Sequence, residues 1–182
     1  MGVILVTGGA RSGKSEWAEA LALQSGKSVI YVATAQVNPA DSEWLLRIEQ
    51  HRDRRPRDWI TLEVSQLVET IETSPLDSCL LIDSLGTWVA NLLEQDELNW
   101  EQTVQSFLSS LQQVAQKDVI LVAEETGWGV VPAYPIGRKF RDRLGNLVRR
   151  LGAIADCVYL VTGGYVLNLS ALGFPLSQKS GG

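Results

Sequence analysis

A doubly wound α/β sheet of mostly parallel strands, flanked by helices, is the fold that the sequence predicts, and two observations carry this prediction. Five short runs rich in Val, Ile and Leu have the length of buried strands. Longer stretches with helical spacing separate these runs, and strands that alternate with helices are typical of a parallel sheet. The predicted strands are residues 3–7, 28–33, 79–82, 119–123 and 157–162.

The predicted helices follow from apolar residues that recur every three to four positions. They cover residues 15–24, 42–51, 88–93, 100–116 and 137–151. After the last strand, residues 163–176 begin with glycine and predict a hairpin or an edge strand, and residues 177–182 predict a frayed tail. Because the chain has 182 residues and is 45% hydrophobic, we expect a single domain, 1–182, with one compact core.

Charge and cysteine content narrow the class of protein. The net charge of -5 argues against binding to nucleic acid or to an anionic membrane surface, but eleven of the sixteen Lys and Arg residues lie in residues 47–57 and 138–150, which suggests small anionic ligands. Cys79 and Cys157 lack a metal-ligand spacing and are predicted to be small buried residues. With no secretory leader and no apolar run near the length of a membrane helix, we expect a cytoplasmic protein without membrane insertion.

The motif that points most directly to a ligand is a glycine-rich loop after the first strand. Residues 8–15 read GGARSGKS and match the G-x-x-x-x-G-K-[ST] pattern in full. Glycines let backbone N–H groups turn inward around phosphate oxygens at the start of a helix, Lys14 can reach the β- and γ-phosphates, and the Ser15 hydroxyl can ligate Mg²⁺. The sequence therefore predicts a nucleotide-binding fold of the P-loop NTPase type.

Polar residues follow the other predicted strands, at the edge where parallel sheets of this class collect their ligands: Thr34, Asp83, Glu124 and Glu125. Asp83 ends an apolar strand, as the second magnesium-binding element of such folds does. The alternative is that Asp83 or Ser84 caps the next helix. Residues 83–86 also match the D-x-x-G of regulatory GTPases, but the chain has no guanine-reading N-K-x-D element, which makes a signalling GTPase a poor fit.

His51 is the only histidine, and five arginines surround it in residues 47–57. Their field lowers the pKa of the imidazole and keeps it neutral and nucleophilic near neutral pH. A neutral imidazole can attack the α-phosphorus of a triphosphate, expel pyrophosphate and carry the nucleotide to a second acceptor. The alternative interpretation is a solvated, arginine-rich helix face with no catalytic role.

These residues belong to an ordered set that spans nearly the whole chain. The set comprises residues 7–15 and 32–35, Arg47, Ile48, residues 51–53, Arg55, Pro56, Trp59, Thr61, Glu63, Asp83, residues 88–93, Glu125, residues 127–132, residues 140–142 and Gly145. It resembles the adenosylcobinamide kinase / adenosylcobinamide-phosphate guanylyltransferase family. Glu124 departs from the family pattern, where Asn is usual, as do Val148 and Arg149 and the stretch after Gly163.

The resemblance implies a bifunctional enzyme of cobalamin nucleotide-loop assembly. It implies phosphorylation of adenosylcobinamide by ATP or GTP with Mg²⁺, and then transfer of GMP from GTP to adenosylcobinamide phosphate through a guanylyl-histidine. It further implies a homotrimer, with His51 and Lys14 as catalytic residues and with Ser15 and Asp83 at the metal. The implied nucleotide contacts are Gly8, Gly9, Ala10, Arg11, Ser12, Gly13, Lys14, Ser15, Ala33, Thr34, Ala35, Arg52, Asp53, Arg54, Arg55, Glu63 and Asp83.

Two other functions remain open on the residues alone. In a simple small-molecule kinase, both arginine-rich stretches would clamp phosphates and His51 would form no covalent adduct. A nucleotide-binding protein without turnover would use the loop alone. Among the aromatic residues, Trp17 and Trp88 fit a core role on their helices, whereas Trp59 and Trp128 lie in less regular stretches and are predicted to make contacts with a ligand or a neighbour.

Overall fold

The computed structural model describes residues 2–35, 55–114 and 116–176, and it contains the predicted α/β sheet. Seven strands form one sheet in the order β3-β2-β4-β5-β1-β6-β7. Every neighbouring pair is parallel except β6 and β7, which are antiparallel. The strands are β1 Val3–Gly8, β2 Ser28–Ala33, β3 Ile60–Glu63, β4 Ser78–Asp83, β5 Asp118–Glu124, β6 Cys157–Thr162 and β7 Tyr165–Asn168.

The helices connect consecutive strands and lie on both faces of the sheet. They are α1 Lys14–Gln24, α2 Leu67–Thr73, α3 Leu85–Asn91, α4 Glu97–Gln112, α5 Pro135–Gly152 and the single turn α6 Leu169–Leu172. Side chains alternate along each strand, so Leu5 and Leu80 pack with α2 to α5 on one face, whereas Val6 and Leu81 pack with α1 on the other. The central strands are buried on both faces, which is why their sequences are continuous apolar runs.

All five predicted strands are confirmed, and so is the hairpin after the last of them, which β6 and β7 form. The sequence analysis missed β3 and α2. Both are short, and β3 is an exposed edge strand whose ITLE sequence lacks a continuous apolar run. The helix predicted at 42–51 lies outside the described residues, as does the tail at 177–182.

Helix boundaries differ by a few residues because the caps set them. Ser84 accepts a hydrogen bond from Thr87 N and starts α3 three residues earlier than the predicted 88. Asp96 accepts one from Asn99 N and starts α4 before the predicted 100. Pro135 occupies the first turn of α5, where a missing N–H costs nothing.

The basic residues of 138–150 are used mainly for packing α5, which corrects the expectation that this stretch binds small anions. Arg143 is buried and its guanidinium bonds the carbonyls of Leu92 and Gln95, just beyond the end of α3. Further contacts within the protein join Arg138 to the carbonyls of Pro132 and Ala133, Lys139 to those of Leu93 and Gln95, Arg141 to Asp142, and Arg150 to Glu101. A kinase that clamps phosphates with both arginine stretches therefore loses support.

Candidate functional site

The glycine-rich loop joins β1 to α1 in the conformation that its sequence predicts. Gly13 adopts a φ of 93° and directly precedes the helix, and Arg11 also has a positive φ, 58°. The Nζ atom of Lys14 donates to the carbonyl of Gly9 at 3.2 Å, so the ammonium group folds back over the loop. The Ser12 Oγ atom is buried and has no hydrogen-bond partner among the described residues. The loop thus presents a cation and an unsatisfied hydroxyl at a helix N-terminus, where an anion is favoured.

Gly8 is needed for a different reason, which is the close approach of the neighbouring strand. A Cβ atom at this position would lie 2.3 Å from the carbonyl oxygen of Val161 and 2.7 Å from the Oγ atom of Ser12. Because the first contact is with backbone of β6, it cannot be relieved by a side-chain rotation. Glycine therefore lets the loop leave the sheet between β5 and β6.

The carboxyl ends of the parallel strands place several predicted site residues along one edge of the sheet. Ala33 pairs with Asp83 on one side and with Glu63 on the other. Gly8 pairs with Glu124 at the end of β5. The strand β5 thus separates the phosphate loop from Asp83, and the pairing brings Ala33, Asp83 and Glu63 together at one end of this edge.

Thr34 is buried and joins β2 to the start of α3. Its hydroxyl donates to the carbonyl of Ser84 at 2.6 Å and accepts from Ser84 N at 3.2 Å, and it also lies within hydrogen-bond distance of the Thr87 hydroxyl. The Thr34 carbonyl accepts a hydrogen bond from the Asn91 side chain. The Thr34 hydroxyl therefore joins the end of β2 to the residue that caps α3, beside Asp83.

We expect Thr34→Val to destabilise the protein by about 1–3 kcal/mol, because it leaves the buried N–H of Ser84 without an acceptor. Chemical denaturation followed by circular dichroism measures this change. The matched control is Thr73→Val, since the exposed Thr73 hydroxyl bonds only the Glu69 carbonyl of its own helix. Equal midpoints for the two variants would contradict the role assigned to Thr34.

Asp83 contacts Tyr31, and Ser84 caps the next helix, as one of the two capping residues considered from the sequence; the magnesium role of Asp83 stays a prediction. The Tyr31 hydroxyl donates to Asp83 Oδ2 at 3.1 Å. Burial raises the pKa of Tyr31 well above its usual value, and the nearby Asp83 raises it further, so Tyr31 remains a hydrogen-bond donor. Asp83 Oδ1 accepts no hydrogen bond within the described ranges, and the carboxylate therefore keeps an oxygen for another ligand.

Arg55 lies directly over Tyr31. Its guanidinium carbon is 3.2 Å from the centroid of the Tyr31 ring, and its buried Nε atom has no hydrogen-bond partner in the part of the chain that the structure describes. A guanidinium that stacks on an aromatic ring retains donors in its own plane, which is the arrangement used to bind phosphates. Arg55 and Asp83 both contact Tyr31, so Tyr31 links this arginine of the arginine-rich stretch to Asp83.

Glu124 is the last residue of β5 and Glu125 directly follows it, at the edge of the sheet where the sequence places both without a role for either. Glu124 Oε2 accepts from Gly86 N at 3.0 Å and ties β5 to α3. Glu125 Oε1 accepts from the Thr7 hydroxyl at 2.6 Å, and Glu125 N donates to the Gly8 carbonyl at 2.9 Å. Glu125 is thereby bound to the residues that lead into the phosphate loop. No sequence spacing reveals this contact, because 118 positions separate Thr7 from Glu125.

The remaining predicted residues divide into those that the structure describes and those that it does not. Ala33, Ala35 and Glu63 lie near the same sheet edge, at the ends of β2 and β3. His51, Arg52, Asp53 and Arg54 lie outside the described residues. Within the described ranges, no three His, Cys, Asp or Glu side chains form a group that could hold a metal ion.

Two tryptophans behave differently from each other. Trp59 is buried against the α1 face of the sheet, so the prediction of a contact role for it is wrong. Trp128 is 67% exposed in the segment that follows Glu125.

As far as the described helices go, none combines the length and the apolar character needed to span a membrane.

Comparisons with known proteins identify a family model and several relatives that match most of this chain. The model of the family "Cobinamide kinase / cobinamide phosphate guanyltransferase" matches residues 4–169. The bifunctional adenosylcobalamin biosynthesis protein CobU of Salmonella typhimurium is 39% identical over 178 residues, which cover 89% of this chain and 96% of that protein. The bifunctional adenosylcobalamin biosynthesis protein CobP of Pseudomonas aeruginosa is 39% identical over 170 residues, covering 91% of this chain and 95% of that protein.

Solved structures of lower sequence similarity share the fold. The flagellar accessory protein FlaH of Methanocaldococcus jannaschii superposes with a TM-score of 0.52 at 17% identity, over 92% of this chain and 75% of that one. At this identity the likeness concerns the arrangement of strands and helices alone.

Proposed function

The chain belongs to the cobinamide kinase / cobinamide phosphate guanyltransferase family, and we propose that it is a bifunctional transferase of cobalamin nucleotide-loop assembly. In the first half-reaction it phosphorylates adenosylcobinamide, and in the second it transfers GMP from GTP to adenosylcobinamide phosphate. The observation that carries this proposal is the family match over residues 4–169, which includes the glycine-rich loop with Gly13 at a φ of 93° and Lys14 bonded to the Gly9 carbonyl.

The kinase half-reaction is assigned to the phosphate loop. Backbone N–H groups of residues 8–15 surround the β- and γ-phosphates of ATP or GTP, and Lys14 places its charge between them. The Ser12 hydroxyl, which lacks a partner, supplies one more donor. The remaining nucleotide contacts that we propose along the same edge are Ala33, Thr34, Ala35, Glu63 and Asp83.

Mg²⁺ fits the donors that the site offers. Ser15 and Asp83 provide hard oxygen ligands, and Asp83 keeps one oxygen that Tyr31 does not use. Protein sites for Mg²⁺ commonly use only one or two carboxylates with water and phosphate oxygens, which agrees with the lack of a three-residue cluster in the described part of the chain. When bound, the ion would neutralise charge on the phosphates.

The guanylyl transfer is assigned to His51 and the arginines beside it. A neutral imidazole nitrogen attacks the α-phosphorus of GTP, pyrophosphate leaves, and an oxygen of adenosylcobinamide phosphate then displaces the histidine. Arg52, Arg54 and Arg55 hold the phosphates in this proposal, and Asp53 is a further nucleotide contact. The stacked guanidinium of Arg55 supports it, because its unpartnered Nε leaves a donor for an anion.

Product analysis with the natural acceptor tests this function. Adenosylcobinamide, ATP, GTP and Mg²⁺ are incubated with the protein, and the corrinoids are separated by chromatography. We expect adenosylcobinamide phosphate first and adenosyl-GDP-cobinamide afterwards. Accumulation of the phosphate with no use of GTP would establish the simple kinase instead, and no consumption of either nucleotide would establish a binding protein without turnover.

We also propose that the enzyme is a homotrimer in the cytoplasm. Large apolar side chains are exposed on β7 and on the segment after it, where the described chain offers no cover: Tyr165, Leu169, Leu172, Phe174 and Leu176. Exposed apolar side chains that lie so close together along the chain are typical of a subunit interface. The two free cysteines fit a reducing compartment, and burial raises the pKa of the Cys79 thiol to about 11.

Leu172→Glu is expected to dissociate the trimer, because three buried carboxylates would lie in the interface. Light scattering should give three times the chain mass of 20.0 kDa for the wild type and a single chain mass for the variant. Leu98→Glu is the control, since Leu98 is 79% exposed on α4, away from this patch, and should keep the trimer. A trimeric Leu172→Glu, or a monomeric wild type, would contradict the assignment.

A further inference from the structure

Glu125 is a carboxylate that the sheet topology places at the start of the phosphate loop. It directly follows β5, which pairs with β1 so that Glu124 lies opposite Gly8. Two hydrogen bonds hold Glu125 there: the Thr7 hydroxyl donates to its Oε1 at 2.6 Å, and its backbone N–H donates to the Gly8 carbonyl at 2.9 Å. The side chain is therefore fixed at the base of the loop.

The other carboxylates of this edge are engaged or more distant. Glu63 is exposed at the end of β3, the outermost strand on the far side of the sheet. Asp83 is separated from β1 by β5 and accepts the hydrogen bond of Tyr31. Glu124 is tied to the N–H of Gly86 at the start of α3. Of the acidic side chains that follow the described strands here, Glu125 alone contacts the strand that carries the loop.

Glu125 also keeps an oxygen available. Only Oε1 is used by Thr7, and Oε2 accepts no hydrogen bond from any residue of 2–35, 55–114 or 116–176. The residue is half-buried, so a bound molecule can reach it. A fixed carboxylate with one open oxygen, hydrogen-bonded at the start of the phosphate loop, is suited to accept a proton.

The two half-reactions differ in whether they require such a proton acceptor. An alcohol must lose its proton when it becomes a phosphate ester. A neutral imidazole attacks through a nitrogen that carries no proton, and a phosphate monoester attacks through an oxygen that is already ionised. Only phosphorylation of the alcohol therefore needs a general base.

We propose that Glu125 is the general base of the kinase half-reaction, an inference that rests on the proposed function. The hydroxyl oxygen of the acceptor forms a bond to the γ-phosphorus, and the bond from that phosphorus to the bridging β-oxygen breaks. The nucleoside diphosphate leaves with the electron pair on its β-phosphate. The proton of the hydroxyl passes to Oε2 of Glu125, and solvent takes it up afterwards.

Glu125→Gln tests the proposal and keeps the contact between residue 125 and the start of the loop, because the amide oxygen still accepts the hydrogen bond of Thr7. We expect kcat for phosphorylation of adenosylcobinamide to fall by about 10²–10⁴-fold. The KM for ATP and the labelling of the protein by GTP carrying ³²P at its α-phosphate should stay at wild-type levels. Glu124→Gln is the matched control and should keep wild-type kcat, since Glu124 contacts the backbone of α3.

Each result decides the question. A Glu125→Gln variant with wild-type kcat would overturn the assignment, and so would a variant that loses ATP binding and α-phosphate labelling together with kinase activity, since that would make Glu125 a brace for the loop alone. A wild-type enzyme that fails to phosphorylate adenosylcobinamide would remove the proposed function itself. Loss confined to phosphorylation supports the proposal.

Discussion

Lys14→Ala is expected to lower the rates of both half-reactions by about 10²–10³-fold, the range typical of removing one hydrogen-bond donor to the charge that develops in a transition state. Both reactions use a triphosphate. Lys14 places a positive charge at the loop, since its Nζ atom lies 3.2 Å from the carbonyl oxygen of Gly9. Phosphorylation of adenosylcobinamide and formation of the guanylylated protein should therefore fall together. Radiolabelled ATP and GTP measure the two rates on the same preparation.

The control for this prediction is Lys27→Ala, which removes the same charge at the opposite edge of the sheet. Lys27 lies 3.2 Å from Asp118, at the start of β5, and bonds the Gln116 carbonyl. Its loss should affect stability and leave both activities near the wild-type level. If Lys14→Ala kept guanylylation and lost only phosphorylation, the two half-reactions would use separate triphosphate sites, which contradicts a shared loop.

His51→Ala is expected to abolish the guanylyl transfer and to spare the kinase. Removal of a covalent nucleophile costs on the order of 10⁴-fold or more. Phosphorylation uses the loop, the acceptor and Glu125 but no histidine, so adenosylcobinamide phosphate should accumulate. The corrinoid products of the variant, separated by chromatography, show the two outcomes in one experiment.

Gln50→Ala is a suitable control for this variant, because it alters the adjacent position and leaves the imidazole in place. It should make both products. A His51→Ala enzyme that still forms adenosyl-GDP-cobinamide at the wild-type rate would show that GMP passes directly from GTP to the phosphate. A variant that loses phosphorylation as well would place His51 in the kinase step.

Most of the fold could be predicted because its central strands are buried on both faces and are therefore continuous apolar runs. The strand β3 could not be predicted in this way, since Ile60 is 55% exposed and the strand has a neighbour on one side only. The order of the strands in the sheet could not be predicted from the sequence either. The pairing of β5 with β1 joins Val3 to Val119, and the pairing of β5 with β4 joins Cys79 to Asp118; periodicity carries no information on such long-range contacts.

The candidate site was predictable where one local motif contains the chemistry. The glycine-rich loop is such a motif, because its geometry depends on residues that are neighbours in the chain. The contacts of Asp83 with Tyr31, of Arg55 with the ring of Tyr31, and of Glu125 with Thr7 arise from tertiary packing. Thr34 illustrates the same limit, since its place after a strand suggested ligand binding and its hydroxyl bonds Ser84 in the structure.

The central claim is that GMP is carried on His51, and the most direct measurement is the covalent labelling of the wild-type protein. The protein is incubated with Mg²⁺ and GTP labelled at the α-phosphate, then denatured and digested. We predict acid-labile label on the peptide that contains the single histidine, and release of that label when adenosylcobinamide phosphate is added before denaturation. Formation of adenosyl-GDP-cobinamide with no label on the protein at any time would contradict the claim.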